Sequence, residues 1–374
     1  MMDLPLKGLL VLEFSQYLSG PSAGLRLADL GARVIKIERP GKGDAGRKLA
    51  IKNLWVDDSS LLFHSINRNK ESVAADLKNT SDLELVKTLL KKADVLIHNF
   101  RPGVMEKTGL GFEDVQLLNP GIIYAAISGY GKEGPWKDKP GQDLLLQSMT
   151  GLAYTTGNGD NGPVPFGIAV GDIMAGSQLV QGILAALIRR QKTGNGALIE
   201  ISMIESLIDF QFELFTTYFT NGKQPERSKI NNGHVLLGAP YGIYKTADGF
   251  IALAMMDIHV LAEAIGCCEL KSISKEDVFA QRDEIKSLLA TYMVRQTTEY
   301  WIQKLHEYDL WAIEVLDWEK MTEVEAYNVL GMEQVIETDS KKIITTRCPI
   351  RINGKKIYSS KAAPALGQNA GINV

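Results

Sequence analysis

Residues 9–44 read LLVLEFSQYLSGPSAGLRLADLGARVIKIERPGKGD and have the pattern of a complete strand–helix–strand unit. Residues 9–14 form an apolar run that is typical of a buried strand. Gly20-Pro21 then opens an apolar helical repeat that stops at Gly31. Proline suits the first turn of a helix and glycine suits its end, so the sequence predicts a strand-to-helix turn at residues 15–20.

The second strand of this unit is predicted at residues 33–37. It leads into ERPGKGD, residues 38–44, a turn that combines a flexible backbone with cationic side chains. Parallel strands of an open sheet leave ligands outside their carboxyl ends. We therefore expect the turn at residues 15–20 and the loop that begins at Arg39 to share one crevice.

A dinucleotide-binding fold is the first function to weigh for such a unit. Glu38 ends the second strand at about the distance at which these folds place a ribose-binding carboxylate. However, residues 15–24 contain only Gly20 and Gly24, which cannot supply the three-glycine spacing that brings a pyrophosphate onto the helix start. A nicotinamide-dependent oxidoreductase is therefore a distant alternative, and a turn that binds nothing remains open for this unit taken alone.

The composition describes an ordinary globular protein. The 374 residues are 45% hydrophobic and 23% charged, enough for about two domains, and a net charge of −3 with a pI near 6.0 gives no reason to expect nucleic acid or an anionic membrane as partner. Three cysteines without CxxC spacing and five scattered histidines predict neither a disulfide framework nor a metal site. The first residues lack the layout of a secretion signal, and the apolar run at residues 179–188 is too short to span a bilayer, so we expect a cytosolic protein.

Strands and helices alternate through the first two hundred residues, which predicts an α/β fold with a doubly wound, Rossmann-like parallel sheet. Further strands are expected at residues 72–77, 95–100, 122–128 and 198–203, and helices from a capping box at Ser81, at residues 143–150 and at residues 172–191. The character changes near residue 220, where a hairpin around Ala247-Asp248-Gly249 precedes further helices. We predict a large domain at residues 1–219, a smaller α+β domain at 220–312 and a C-terminal segment at 313–374.

Six ordered motifs closely resemble the class III coenzyme A transferases, a family that includes formyl-CoA and carnitine CoA-transferases and the related α-methylacyl-CoA racemases. The motifs are GLLVLEFSQYLSGP (8–21), LADLGARVIKIERPGKGD (27–44), NRNK (67–70), ADVLIHNFRPGVMEKTGL (93–110), ISGYGKEGP (127–135) and GDIMAGSQLVQGILAAL (171–187). The resemblance implies transfer of CoA from an acyl-CoA to a carboxylic acid without a tightly bound cofactor or metal. It also implies an interlocked homodimer, and it returns the C-terminal segment to the large domain.

Asp172, between a glycine and an apolar helical run, is by its sequence alone most often a helix cap. The resemblance implies that it is the nucleophile, which forms a mixed anhydride with the acyl group and then a thioester with CoA. The two roles are compatible, because a carboxylate kept ionised at a helix start can attack a nearby thioester. A CoA-binding protein without activity, in which Asp172 only caps the helix, stays as an alternative.

The resemblance also implies a CoA site. Arg39 matches the cation at the adenosine phosphate end, and Lys107 takes the place of an arginine, which keeps the charge but loses the bidentate fork. The residues expected around the nucleotide and the thioester are Asn69, Lys70, Asn99 and Phe100, with the backbone N–H groups of Tyr17, Leu18 and Ser19. Leu18 stands where formyl-CoA transferase has glutamine, which argues against formyl or oxalyl substrates.

Gln142 separates the two chemistries of the family. Racemases use a histidine thirty positions before the aspartate, in a Gly-His-Asp triplet, whereas this chain has Gly141-Gln142-Asp143 before Asp172. Glutamine cannot take up a proton, so the two-base racemase mechanism fails and an acyl-CoA racemase is the alternative within the family. Asp143 is expected to orient the substrate or the Gln142 amide, or to cap the helix that begins there.

Overall fold

The structure, a computed structural model, describes residues 3–359 and 361–370. The chain divides into two compact units. Unit 1 comprises residues 1–146, 169–210 and 329–374, and unit 2 comprises residues 147–168 and 211–328. The domains expected from the sequence, at residues 1–219, 220–312 and 313–374, stay a prediction.

The elements of the described residues are as follows. The strands are β1 (Leu10–Glu13), β2 (Arg33–Glu38), β3 (Trp55–Val56), β4 (Ser59–Ser60), β5 (Glu71–Ala74), β6 (Val95–His98), β7 (Ile123–Ser128), β8 (Ala197–Ser202), β9 (Gly242–Lys245), β10 (Phe250–Leu253), β11 (Ala312–Glu314), β12 (Glu333–Glu337), β13 (Lys342–Thr346), β14 (Cys348–Ile352) and β15 (Lys355–Ile357). The α-helices are α1 (Ser19–Asp29), α2 (Leu61–Asn67), α3 (Thr80–Leu90), α4 (Phe112–Leu118), α5 (Asp143–Met149), α6 (Val170–Thr193), α7 (Met203–Phe210), α8 (Phe212–Asn221), α9 (Ile258–Ile265), α10 (Arg282–Met293), α11 (Thr298–His306), α12 (Trp318–Glu323) and α13 (Glu325–Leu330).

Unit 1 is built on a parallel sheet of six strands in the order β5-β2-β1-β6-β7-β8. The chain builds one half outward from β1 through β2 to β5, then returns to β6 and builds the other half through β7 to β8. The order of strands therefore reverses between β1 and β6, which is where open α/β sheets bind their ligands. This arrangement confirms the predicted α/β class with a parallel sheet.

The strand–helix–strand unit that the sequence predicts is present. Helix α1 ends where Gly31 takes a positive φ of 109°, a conformation that glycine adopts without the steric cost of a side chain. Strand β1 is buried along its whole length, because it lies in the centre of the sheet. Its Leu12 belongs to a core cluster with Leu96 of β6 and Tyr124 of β7.

Helix α3 is capped by a residue other than the one that the sequence indicates. The S-x-x-E pattern predicts Ser81 as the cap, but the helix begins at Thr80 and Asn79 is its N-cap. The Asn79 side chain accepts hydrogen bonds from the backbone N–H groups of Ser81 and Asp82 at 2.9 and 3.2 Å. Asparagine and serine are similarly good caps, so the one that sits at the last non-helical residue takes the role.

Helix α6 is the long helix expected near residues 172–191, and it extends over 24 residues. It is thus longer than the apolar run at residues 179–188 indicates. Among the described helices it alone has the length and hydropathy of a membrane span, with 44% of its most apolar window buried inside the structure. In unit 1 it packs against α1, α7 and β8, as the core helix of a globular unit does.

Unit 2 contains a three-stranded antiparallel sheet in the order β11-β10-β9. Strands β9 and β10 form the hairpin predicted around Ala247-Asp248-Gly249. The core of the unit joins this sheet to α9, α10 and α11 through the buried side chains of Tyr244, Leu261, Ile285, Leu289 and Trp301.

The last described residues of the chain lie against the edge of the unit 1 sheet. The backbone N–H of Asn369 donates to the carbonyl of Ser72 on β5 at 2.9 Å, and the Arg47 guanidinium donates to the carbonyl of Pro364 at 3.0 Å. The backbone N–H of Ser72 also donates to the side chain of Asn369 at 3.0 Å, so Asn369 pairs both backbone groups of a residue on the edge strand.

The contact between α1 and α6 depends on Gly176. A β-carbon at this position would lie 2.2 Å from the Ser22 hydroxyl and 2.7 Å from the Ser19 carbonyl oxygen. Both distances are far below van der Waals contact, and the second one involves backbone that cannot rotate away. Glycine therefore sets the distance between the two helices.

We expect Gly176→Ala to destabilise the protein by about 1–3 kcal/mol, because overpacking of this size outweighs the gain in helix propensity. Ser177→Ala, an exposed position on the same helix, is the matched control and should change stability by less than about 0.5 kcal/mol. Equilibrium urea unfolding of the two variants measures the difference. Equal stabilities would contradict the close approach of the helices.

Candidate active site

The loops that follow β1, β2 and β6 leave the sheet at the same end, the carboxyl ends of these strands. Strand β1 pairs in parallel with β2 on one side and with β6 on the other, so the three carboxyl ends point the same way. The loop at residues 15–18, the loop that begins at Arg39 and the segment that begins at Asn99 are therefore neighbours, as the sequence predicts for the first two. A ligand of this α/β sheet is expected to bind here.

The loop after β1 is held by Asn99. Its side-chain oxygen accepts from the backbone N–H of Gln16 at 2.8 Å, and its side-chain nitrogen donates to the Gln16 carbonyl at 2.7 Å. The same nitrogen donates to the hydroxyl of Ser19 at 3.1 Å. An asparagine at the end of β6 therefore fixes the loop and orients the hydroxyl at the start of α1.

Tyr17, in the middle of this loop, has a φ of +62°. This left-handed conformation is uncommon for a bulky residue and costs free energy unless the surroundings hold it. The backbone N–H of Tyr17 donates to a carboxylate oxygen of Asp44 at 3.0 Å. The side chain of Tyr17 is 52% exposed, so packing does little to hold it.

Four charged side chains lie beneath the loop with no exposure to solvent. Lys36 pairs with Glu13 and with Asp44, each at 2.8 Å, and Lys70 pairs with the other oxygen of Glu13 at 2.8 Å. Lys36 also donates to the carbonyl of Ser15 at 2.6 Å. We refer to Glu13, Lys36, Asp44 and Lys70 as the buried tetrad.

The tetrad changes the interpretation of Lys70, which the resemblance places near the nucleotide. Its ammonium also donates to the Pro21 carbonyl and to the Asn67 side chain, each at 2.9 Å, so all its donors are used inside the protein. Sequence reasoning also gave no role to Lys36 and Asp44. A lysine in the middle of an alternating strand looks like a solvated side chain until its neighbours are known.

Asp172 lies in the first turn of α6, two residues after the helix begins. The N-cap residue is Ala169, whose side chain makes no capping hydrogen bond, and the carboxylate of Asp143 on α5 instead accepts from the backbone N–H groups of Gly171 at 2.6 Å and Asp172 at 3.3 Å. The capping role that the sequence assigns to Asp172 is therefore performed by Asp143. The Asp172 carboxylate lies near Ser19, whose hydroxyl and backbone N–H act to lower its pKa.

Two opposing effects set the acidity of Asp172. Burial, and to a smaller extent the negative charge of Asp143, raise the pKa of Asp172 to about 6, while the hydrogen bonds from Ser19 act in the opposite direction. A carboxylate with a raised pKa beside a ligand crevice is the kind of group that active sites use as a base or nucleophile.

The other predicted site residues are less closely connected. Arg39, Lys107 and Gln142 are exposed, and within the described residues their side chains make no hydrogen bond or ion pair with the cluster around Asp172. Phe100 is half-buried and stacks on the ring of His98, with 6.1 Å between ring centroids. Asn69, also half-buried and with a φ of +66°, donates its side-chain N–H to the Ala28 carbonyl at 2.9 Å.

Glu38, the residue that suggests a ribose-binding carboxylate, is buried in an ion pair. Arg47 binds both of its oxygens, at 2.7 and 2.8 Å, and the hydroxyl of Ser72 and the backbone N–H of Asp44 complete its shell at 2.6 and 2.8 Å. All the lone pairs that could accept a ribose hydroxyl are therefore used. This removes the remaining argument for a nicotinamide-dependent oxidoreductase.

Comparison with known proteins agrees with this geometry. Residues 6–370 match the family described as CoA-transferase family III. The chain is 35% identical over 311 residues to the acetyl-CoA:oxalate CoA-transferase of Acetobacter aceti, a match that covers 81% of this chain and 78% of that protein. It is 33% identical over 307 residues to the succinyl-CoA:glutarate CoA-transferase of Mus musculus, covering 80% of this chain and 69% of that protein.

Among solved structures, a CAIB/BAIF family protein from Brucella suis superposes with a TM-score of 0.84 at 29% identity, over 98% of this chain and 97% of that one. The family match spans almost the whole chain, and the relatives act on acyl-CoA and carboxylate substrates. The chain therefore belongs to CoA-transferase family III and is an acyl-CoA:carboxylate CoA-transferase.

Proposed function

We propose that Asp172 carries the transferred groups as the nucleophile. A carboxylate oxygen attacks the thioester carbonyl, the C–S bond breaks, and CoA leaves as a thiolate while the acyl group stays on Asp172 as a mixed anhydride. The thiolate then attacks the carbonyl of Asp172, releases the first acid as a carboxylate and leaves an aspartyl-CoA thioester. The observation that supports this role is the half-buried carboxylate of Asp172, which lies in the first turn of α6 near Ser19 and has a raised pKa.

The second half of the reaction reverses these steps with another acid. The acceptor carboxylate attacks the aspartyl thioester, the thiolate leaves, and a new mixed anhydride forms. Attack of the thiolate on the acceptor carbonyl then gives the product acyl-CoA and the free Asp172 carboxylate. No net bond energy is lost, because one thioester is made for each one that is broken.

The tetrahedral intermediates need hydrogen-bond donors for their oxyanions. Of the three backbone N–H groups that the resemblance implies, that of Tyr17 is bound by Asp44 and that of Ser19 faces Asp172. The N–H of Leu18 has no hydrogen-bond partner among the described residues. We therefore assign the Leu18 N–H as the oxyanion donor.

For CoA we propose that Arg39 and Lys107 bind the phosphates at the adenosine end, with Asn69 and Phe100 near the nucleotide. Arg39 and Lys107 are exposed and follow β2 and β6, the strands on either side of β1. Lys70 and Asn99 act on this pocket indirectly, through the loop that they hold. CoA enters as a substrate, and no tightly bound cofactor or metal takes part in the proposed steps.

The acceptor is proposed to be an unbranched dicarboxylic acid. Both relatives described above are named for such acceptors, oxalate and glutarate. Leu18, in place of the glutamine of formyl-CoA transferase, favours an acid longer than oxalate. Succinyl-CoA and acetyl-CoA, each tested with acids from oxalate to adipate and read by mass spectrometry, would identify the pair, and the absence of CoA transfer to any of them would reject this substrate class.

We propose transfer rather than racemisation because Gln142 has no basic group. In deuterium oxide the protein should leave the α-position of a branched acyl-CoA unlabelled while its CoA exchanges with free acids.

We also propose a cytosolic, interlocked homodimer. Unit 1 exposes several apolar side chains of α5, α6 and α7 that a partner subunit would cover, namely Leu144, Leu145, Ile173, Ile208 and Phe210.

Asp172→Asn is expected to abolish CoA transfer and to keep CoA binding, because it removes the nucleophile and preserves the shape of the side chain. It should not lower thermal stability at pH 8. The folded-state pKa of Asp172 is raised above its ordinary value, so the ionised group opposes folding at a pH above about 6 and does not do so below about pH 4. Activity above a trace would contradict the nucleophile assignment, and loss of the fold would be seen by thermal unfolding.

Transfer should lose activity in acid with a midpoint near pH 6, because only ionised Asp172 can attack. Asp143→Asn keeps an oxygen that can cap α6 but removes the negative charge, so it should move this midpoint to lower pH. The measurement is kcat/KM for acetyl-CoA from pH 5 to 8. A midpoint that does not move in Asp143→Asn would show that the two carboxylates do not interact.

Arg39→Ala and Lys107→Ala are expected to raise the KM for CoA esters with little change in kcat, because a remote phosphate contact contributes equally to the ground and transition states. At least one of them should discriminate less against dephospho-CoA esters, which lack the 3′-phosphate. The control is Lys91→Ala. Lys91 is an exposed cation that precedes the amino end of β6, at the opposite end of the strands, so this variant should keep the native KM and the native discrimination. If both variants discriminate against dephospho-CoA esters as strongly as the native enzyme does, the 3′-phosphate binds at another place.

A further inference from the structure

The buried tetrad contacts the loop after β1 and the first turn of α1 at three backbone atoms. Lys36 donates to the Ser15 carbonyl at 2.6 Å, Asp44 accepts from the Tyr17 N–H at 3.0 Å, and Lys70 donates to the Pro21 carbonyl at 2.9 Å. These atoms lie just before, within and just after the residues that the proposed mechanism uses. The tetrad thus fixes the backbone of this segment, although none of its four side chains is exposed to solvent.

We infer that Asp44 is a positioning residue for the transfer reaction: its carboxylate holds Tyr17 in the left-handed conformation and so aims the N–H of Leu18. This inference rests on the proposed function. The peptide that joins Tyr17 to Leu18 turns with the backbone angles of Tyr17. If Tyr17 relaxed to a negative φ, the Leu18 N–H would point in another direction and the oxyanion would lose its donor.

Asp44 is itself held rigidly enough for this role. The oxygen that binds Tyr17 also accepts from the Gly46 N–H at 2.7 Å, and the other oxygen pairs with Lys36 at 2.8 Å. A β-carbon on Gly46 would lie 3.2 Å from the Asp44 carboxylate and 3.7 Å from the Cα of Tyr17. The segment after Asp44 therefore packs directly against the strained residue.

Asp44 also ends the loop that carries Arg39. Within that loop the backbone N–H groups of Lys42 and Gly43 donate to the Arg39 carbonyl at 3.3 and 2.8 Å, and the N–H of Asp44 donates to buried Glu38 at 2.8 Å. The loop proposed to bind the CoA phosphate and the loop proposed to bind the thioester carbonyl are thus tied to one carboxylate. One consequence is a fixed distance between the two ends of the CoA binding surface.

The test compares two buried aspartates. Asp44→Ala should lower kcat by about 10²-fold, with the KM for acyl-CoA changed much less, because misplacement of one catalytic donor costs rate of this order. Asp29 is the control, since it also lies buried in an ion pair, with Arg68, but makes no contact with the loop. Asp29→Ala should destabilise the protein while kcat stays within about threefold of native, well inside one order of magnitude.

Glycine at position 17 separates positioning from stability. Glycine adopts a positive φ freely, so the loss caused by Asp44→Ala should be much smaller in a Tyr17→Gly background than in the native one. Asp44→Asn, which keeps an oxygen for the Tyr17 N–H, should retain more activity than Asp44→Ala. Equal losses in both backgrounds, or equal losses in Asp44→Ala and Asp29→Ala, would overturn the inference.

Hydrogen exchange of the Tyr17 amide tests the inference apart from the proposed mechanism. This amide should be protected in the native protein, exchange faster in Asp44→Ala and stay protected in Asp29→Ala, whether or not Asp172 proves to be the nucleophile. Activity retained by Asp172→Asn would reject the mechanism without changing this result. Rapid exchange of the Tyr17 amide in the native protein would reject the role of Asp44.

Discussion

The ion pair between Lys36 and Glu13 is the interaction on which the active-site region depends. The two residues are directly opposite each other on neighbouring parallel strands, and both are fully buried. Removing two charges from water costs several kcal/mol per ion, which close opposite charges and further hydrogen bonds must offset. Asp44 and Lys70 supply the further charges, and the carbonyl of Ser15 accepts from Lys36. Glu13 Oε2 and Asp44 Oδ2 contact a lysine ammonium but accept no hydrogen bond, so Coulomb attraction is what stabilises them.

Two carboxylates lie at the start of α6, and only one of them, that of Asp143, binds the free N–H groups of the first helical turn. Asp143 takes the capping role from a distance in the sequence, and Asp172 is left with a raised pKa. With a pKa of about 6, roughly nine-tenths of Asp172 is ionised at pH 7. If Asp172 is the nucleophile, as proposed, its raised basicity also makes it more nucleophilic than an ordinary aspartate. Burial and a like charge would then raise reactivity without removing the reactive form.

The sequence predicts those features of the chain that depend on local pattern. The strand–helix–strand unit, the later strands and the position of α6 follow from apolar periodicity and from glycine and proline at element ends. The roles of Lys70 and Glu38 do not, because each looks like a ligand-binding residue until its partner is known. Those partners, Glu13 and Arg47, come from other elements. Likewise, no spacing rule links Asp143 to the helix that begins 27 residues later. Long-range partners are set by packing, and a single sequence does not contain them in readable form.

The sheet reverses its strand order as dinucleotide-binding folds do, but the carboxylate that ends its second strand is not available to a ligand. In dinucleotide folds the carboxylate after the second strand faces the crevice and binds a ribose. In this chain Arg47 forms a buried ion pair with that carboxylate, and the Arg47 guanidinium lies over the ring of Phe63, 3.9 Å from its centroid. The next residue, Arg39, is exposed. The charge that the end of β2 offers to a ligand is therefore the cation of Arg39 and not the carboxylate of Glu38, so a site at this end favours an anion such as a phosphate over a ribose hydroxyl.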